Sequence, residues 1–189
     1  MFHIKEDLRA IKSAELLYEG LERVMKKKEF NKITVTDITK ESTVSRATFY
    51  RNFDTIIDVL YWKCNQLFNR VIKDFVEQEP DLKERDSLIS FVFSFWVEHV
   101  YILEVLINEG RIDIIYNSFI ANASMMMDYI KERIDFPEVQ YEYFVATRVG
   151  IFISIFQTWI SGGKKETGDE LAKIISSEYM INANNQFIF

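Results

Sequence analysis

Residues 34–53 read TVTDITKESTVSRATFYRNF, and within them Arg46, Ala47, Thr48 and Arg51 crowd into one short run behind Ser45. A guanidinium presents two parallel N–H groups that match O6 and N7 of guanine, and a small methyl-bearing side chain suits a thymine methyl. One good bidentate pair discriminates between bases by roughly 1–3 kcal/mol. Arg46 is the first candidate for such reading, Ala47 or Thr48 for the methyl contact, and Arg51 is a further one. Thr34 and Ser45 carry hydroxyls where helix N-termini are expected, a setting that favours phosphate oxygen, and Tyr50 adds a phenol. The two hydroxyls can equally be caps and nothing more, and Tyr50 can stack within its own unit, so both readings stay open.

Other chemistries lack their residues. His3 and His99 are the only histidines and Cys64 the only cysteine. No Gly-rich phosphate loop, HExxH pair or serine elbow occurs, so the expectation is a chain that is not an enzyme and needs no cofactor or metal. A single cysteine excludes an internal disulfide and suits a reducing cytoplasm. The opening MFHIKEDLRAIK has no apolar signal core. The apolar run at 149–156 is too short to span a bilayer, and its extension over 144–160 contains Arg148 and Gln157, so it reads as a buried helix of a soluble protein.

The elements that position the candidate residues can be read outward from them. Thr34-x-x-Asp37 is a capping box that starts a helix ending near Ser42. Ser45 caps a second helix that runs to Phe53, and two helices of about two turns around a turn of about three residues have the proportions of a helix-turn-helix. Ile4, Leu8, Ile11, Ala14, Tyr18, Leu21 and Met25 recur at helical spacing, predicting a helix over 3–28. It ends in Lys26, Lys27 and Lys28, cations that suit a helix C-terminus and can add to a basic surface. Ile33, Val35, Ile38, Val44, Phe49 and Phe53 supply the apolar set that packs the three helices together.

A further helix is expected over 55–78, closed by a break at 79–81. Others follow over 88–107, 112–134, 139–161 and 167–182, with turns at 135–137 and 161–163. With 189 residues, 48% of them hydrophobic, and only 2 prolines and 6 glycines, the fold class is all-α with about nine helices. The division is a helix-turn-helix domain over 1–53 and a larger helical domain over 54–189. The net charge of −6 hides an asymmetry: residues 1–53 carry 11 Lys and Arg against 8 Asp and Glu, the remainder 12 against 21. The basic part is the part with the motif.

The stretch ITVTDITKESTVSRATFYRNFDT resembles the TetR family of bacterial regulators in its threonine-led helix, Val-Ser turn and recognition helix ending in aromatic-Tyr-x-x-Phe. More weakly, VGIFISIFQTWISGGKKETGDELAKII is similar to the family's closing helix pair. The resemblance implies a homodimer on a double-stranded DNA operator, each recognition helix in a major groove. It implies a transcriptional regulator, most often a repressor released by a small-molecule effector, and it places Asn52 at a phosphate-contacting position. It also implies an effector cavity among the helices of the larger domain. The candidates there are Phe91, Phe95 and Trp96, then Tyr116, Phe119 and Met126, then Phe144, Arg148 and Phe152. Arg148 falls on the apolar stripe of Tyr141, Val145, Val149, Phe152, Phe156 and Trp159, where a buried guanidinium needs an anionic effector or a carboxylate partner. The helices over 139–160 and 169–183 carry more apolar surface than one subunit covers, which predicts a four-helix dimer interface.

Two residues depart from the family. Thr43 stands where glycine is usual in the turn, which predicts a reshaped or strained turn because threonine tolerates positive φ poorly. Ile56 stands where a lysine usually approaches the DNA backbone, which predicts weaker non-specific affinity. They sustain an alternative expectation, a TetR-fold protein that no longer binds DNA and acts as a protein-binding co-regulator.

Overall fold

The computed structural model describes residues 2–4, 7–78, 85–132 and 141–185, with side chains described for all of these but 85–89, 130 and 178–185. Among the described residues the protein is all-α. Its helices are α1 (Leu8–Met25), α2 (Val35–Ser42), α3 (Arg46–Asn52), α4 (Ile56–Glu77), α5 (Arg85–Glu98), α6 (Val100–Asn108), α7 (Ile112–Lys131), α8 (Tyr141–Ser161) and α9 (Gly168–Asn185), with a 3-10 turn at Phe30–Lys32. The breaks expected at 79–81 and 135–137 lie outside the described residues. Two compact units divide at Gln66/Leu67, inside α4 and later in the chain than the expected boundary after Phe53, so the first half of α4 belongs to the N-terminal unit.

In that unit α1 begins later than its periodicity predicts. Asp7 caps it, its carboxylate accepting from the backbone N–H groups of Arg9 (2.9 Å) and Ala10 (2.8 Å). The buried face is Ala10, Ala14, Leu17, Leu21 and Val24, while Leu8 and Ile11 of the expected stripe are exposed. Small residues won because α1 and α2 approach closely: a Cβ on Gly20 would stand 2.7 Å from Ser42 Cβ and 3.0 Å from the carbonyl oxygen of Ile38. Phe2 forms an isolated antiparallel bridge with Phe53. His3 donates its backbone N–H to the Asn52 carbonyl (2.8 Å), and its ring meets Asp54 at 3.0 Å.

In the second unit the single helix expected over 88–107 is two. The axis turns by 73° between Ser90–Glu98 and Val100–Asn108. At the corner the His99 ring donates through Nδ1 to the Phe95 carbonyl (2.8 Å) and stacks on the Phe95 ring at 4.4 Å. The interior is aromatic: Phe68 lies 4.4 Å from Trp96 and 5.5 Å from both Phe119 and Phe152. α9 lies along α5, burying Leu171, Ala172 and Ile175, and Gly168 is required where a Cβ would come within 2.8 Å of Ser94 Cα. α8 buries Val145, Val149, Phe152, Phe156 and Trp159. It is also, among the described residues, the one continuous helix long and apolar enough to cross a membrane, with 28% of its most apolar window buried.

Candidate functional site

The helix-turn-helix is built by three local devices. The first is the capping box: Thr34 Oγ1 accepts from the Asp37 N–H (3.2 Å), and Asp37 Oδ2 accepts from the Thr34 N–H (2.8 Å). Lys28 Nζ donates to the same carboxylate oxygen at 2.7 Å. That bond, followed by those from Thr34, holds the Asp37 pKa down to about 2, so α2 starts on a fixed anion tied to the segment after α1. The second device is the turn. Thr43 adopts the left-handed conformation, φ 59° and ψ 16°, so the strain expected at this turn position is present. The third is Ser45, whose Oγ accepts from the Thr48 N–H at 3.1 Å and lies 2.9 Å from Thr48 Oγ1.

These devices leave α3 with one buried and one open face. Phe49 and Phe53 are fully buried. Arg46, Ala47, Tyr50 and Arg51 are exposed, Thr48 is half-buried, and the capping residues Thr34 and Ser45 are open to solvent. Tyr50 stacks edge-on against Phe49 (5.3 Å) yet keeps 51% of its surface exposed, so packing does not use it up. Arg46 and Arg51 enter no ion pair among the described residues. The arrangement can offer two guanidinium groups, a phenol and two hydroxyl-capped helix starts to one polyanionic surface.

Asn52 corrects one expectation. It is 2% exposed, with its Nδ2 unpartnered inside the unit, so its side chain as placed does not reach a phosphate. The lysine cluster corrects another in part. Lys28 pairs with Asp37 (2.7 Å) and Lys27 with Glu41 (3.6 Å), and Arg23 also reaches Glu41 (3.4 Å). These cations are partly spent on docking α2. Sequence reasoning passed over Lys40, the exposed cation in the last turn of α2, which enters no ion pair among the described residues; as the one basic residue of that helix it was there to be found. Ile56 is half-buried at the start of α4.

In the second unit the nine expected pocket residues do not line one cavity. Trp96, Phe119 and Phe152 meet around Phe68 in the aromatic interior. Phe91 and Phe95 line an open groove of about 890 Å³ with Arg70, Asp74, Glu77 and His99. Phe144 packs instead beside Ala123, Met127 and Val145. Met126 is half-buried, and Tyr116 is 43% exposed. Arg148, expected in the interior, is exposed, its guanidinium 4.0 Å over the Phe144 ring. It lies at the border of the buried stripe, about 60° around the helix from its centre, where a long side chain turns its charge outward. Its expected buried partner is therefore unnecessary.

No protein-family model matches the chain, and no curated protein matches it. Among solved structures it is similar in fold to Lin0861 from Listeria innocua, with a TM-score of 0.73 at 19% identity, covering 95% of each chain.

Proposed function

We propose that the protein is a ligand-responsive, DNA-binding transcriptional regulator of the TetR kind, a repressor released from its operator by a small-molecule effector. The observation that carries this reading is the open face of α3, where Arg46, Ala47, Tyr50 and Arg51 stand exposed on a helix whose other face is anchored by Phe49 and Phe53. Arg46 reads a guanine edge, Ala47 and Thr48 a thymine methyl, and Thr34, Ser45 and Tyr50 hold phosphates. In a mobility-shift titration on the chain's own upstream region, Arg46→Ala loses sequence preference with unchanged helical content; wild-type affinity and selectivity in that variant would refute the assignment.

The active species in this proposal is a homodimer in the cytoplasm. Support comes from α8, most of whose apolar window is uncovered in a single chain, while Gly150 and Ser154 on its exposed side leave room for a close neighbour. Sedimentation as a monomer at micromolar concentration would contradict it. Effector binding changes the population of two arrangements through α4, which runs unbroken through both units. The competing reading, a co-regulator that grips a protein instead of DNA, draws on the pairing of Arg23, Lys27 and Lys28 with carboxylates; it predicts no binding to the upstream region even at low salt.

A further inference from the structure

At 7 residues (Arg46–Asn52) α3 is too short to hold its own geometry in water, so its pitch is set by what fastens it. The Ser45 cap holds its start, accepting the Thr48 N–H at 3.1 Å, and the fully buried Phe49 holds its middle against a unit in which α3 packs on α1 and α2. Its end is held from ahead of α1. A helix leaves its last carbonyls without partners of their own, and the carbonyl of Asn52, the final residue of α3, accepts the His3 N–H at 2.8 Å. Phe2 adds the antiparallel bridge to Phe53, and the His3 ring meets the Asp54 carboxylate at 3.0 Å. The successive residues Asn52, Phe53 and Asp54 are thus each engaged by Phe2 or His3. The Phe2 ring also meets Tyr61 of α4 edge-on at 5.4 Å, so the same strap reaches the next helix. There it stands beside a second tie, the Phe53 ring against Trp62 at 6.3 Å.

We propose that Phe2 and His3 are positioning residues for DNA reading, a strap that fixes where the C-terminal end of α3 lies and with it Arg51, the residue before Asn52. The inference rests on the DNA-reading proposal above and adds to it two residues that act through α3. Arg46 follows the Ser45 cap at the opposite end of the helix, so loosening the strap displaces Arg51 and leaves Arg46 in place. A helix of this length spans about 10 Å, and a pivot of about 10° at its start carries its end by about 2 Å. That is enough to break a hydrogen bond made by the Arg51 guanidinium.

The test is a set of double-mutant cycles on the full chain, read by fluorescence anisotropy with the upstream DNA at low salt, while hydrogen exchange follows the His3 amide. Phe2→Ala releases that amide from protection, keeps the wild-type helical content and weakens DNA binding about tenfold, the order expected of one lost aromatic contact and its burial. Phe2→Tyr, which keeps the ring, binds as the wild type does. In an Arg51→Ala background the further loss from Phe2→Ala falls below about twofold, because the displaced group is already gone; in an Arg46→Ala background it stays near tenfold. A strap that serves stability alone weakens binding equally in both backgrounds, and that result overturns the proposal. So does a His3 amide still protected in Phe2→Ala, or wild-type affinity once it is released. If Phe2→Ala fails to fold, the same cycles are run with Phe2→Leu. A wild-type chain that binds no upstream DNA at low salt overturns the regulator and this role with it; DNA binding that ignores the strap overturns the strap alone.

Discussion

Lys28 Nζ donates to Asp37 Oδ2 over 2.7 Å, on the same oxygen that closes the capping box of α2. One carboxylate therefore both starts α2, the first helix of the helix-turn-helix, and fastens it to the segment after α1. Its pKa is held down to about 2 from 3.8, first by the Lys28 bond and then by Thr34. A depressed folded-state pKa gives stability that is complete above the ordinary carboxylate value and is lost as pH falls through the folded one. The Asp37 carboxyl resonance should titrate near 2 in the wild type and move upward in Lys28→Ala. Asp37→Asn should remove this share of the acid sensitivity of unfolding below the ordinary carboxylate value, which circular dichroism across an acid series checks.

Gly20→Ala should destabilise the N-terminal unit by about 1–3 kcal/mol, against the gain of about 1 kcal/mol that alanine ordinarily brings to a helix interior. The added Cβ meets Ser42 Cβ at 2.7 Å and, at 3.0 Å, the Ile38 carbonyl oxygen and the Ser42 nitrogen. Two of the three obstacles are backbone, so the helices must part. A lowered urea midpoint with an unchanged slope is the expected reading, and a raised midpoint would contradict the close approach.

Thr43→Gly should stabilise the protein by about 0.5–1 kcal/mol, since a β-branched residue at φ 59° carries a steric cost larger than the unfolded-state entropy that glycine adds. Thermal unfolding of the two proteins measures the difference. Thr43→Val, equally branched, should show no gain.

The spacing of apolar residues and caps made much of this fold legible. The capping box, the Ser45 cap and the strained Thr43 were readable because each depends on residues a few positions apart, and the buried Phe49 and Phe53 because a short amphipathic helix has only one face to hide. What escaped depends on distant partners. Helix 1 offered two apolar sets, and the close fit at Gly20 chose the smaller one. The corner at His99 follows no glycine or proline, and α5 and α6 are apolar on nearly every side, so periodicity gave no sign of it. In α8 the same lack of contrast put Arg148 inside when it lies at the border. Asn52 reads as a polar residue on an exposed helix until Phe2 and His3 are seen to pair with Phe53 and the Asn52 carbonyl.

The most direct test of DNA reading by α3 is the salt dependence of binding to the upstream region, followed by fluorescence anisotropy. Lys40 in α2 and Arg46 and Arg51 in α3 are exposed cations of the helix-turn-helix. With Arg46 on a guanine edge, Lys40 and Arg51 on each subunit of a dimer predict a slope of roughly −4 in log affinity against log salt, a loss of about a hundredfold between about 50 and 200 mM. Arg51→Ala should make that slope shallower by about two in the dimer. A flat salt profile, or no binding at the lowest salt, would contradict the account.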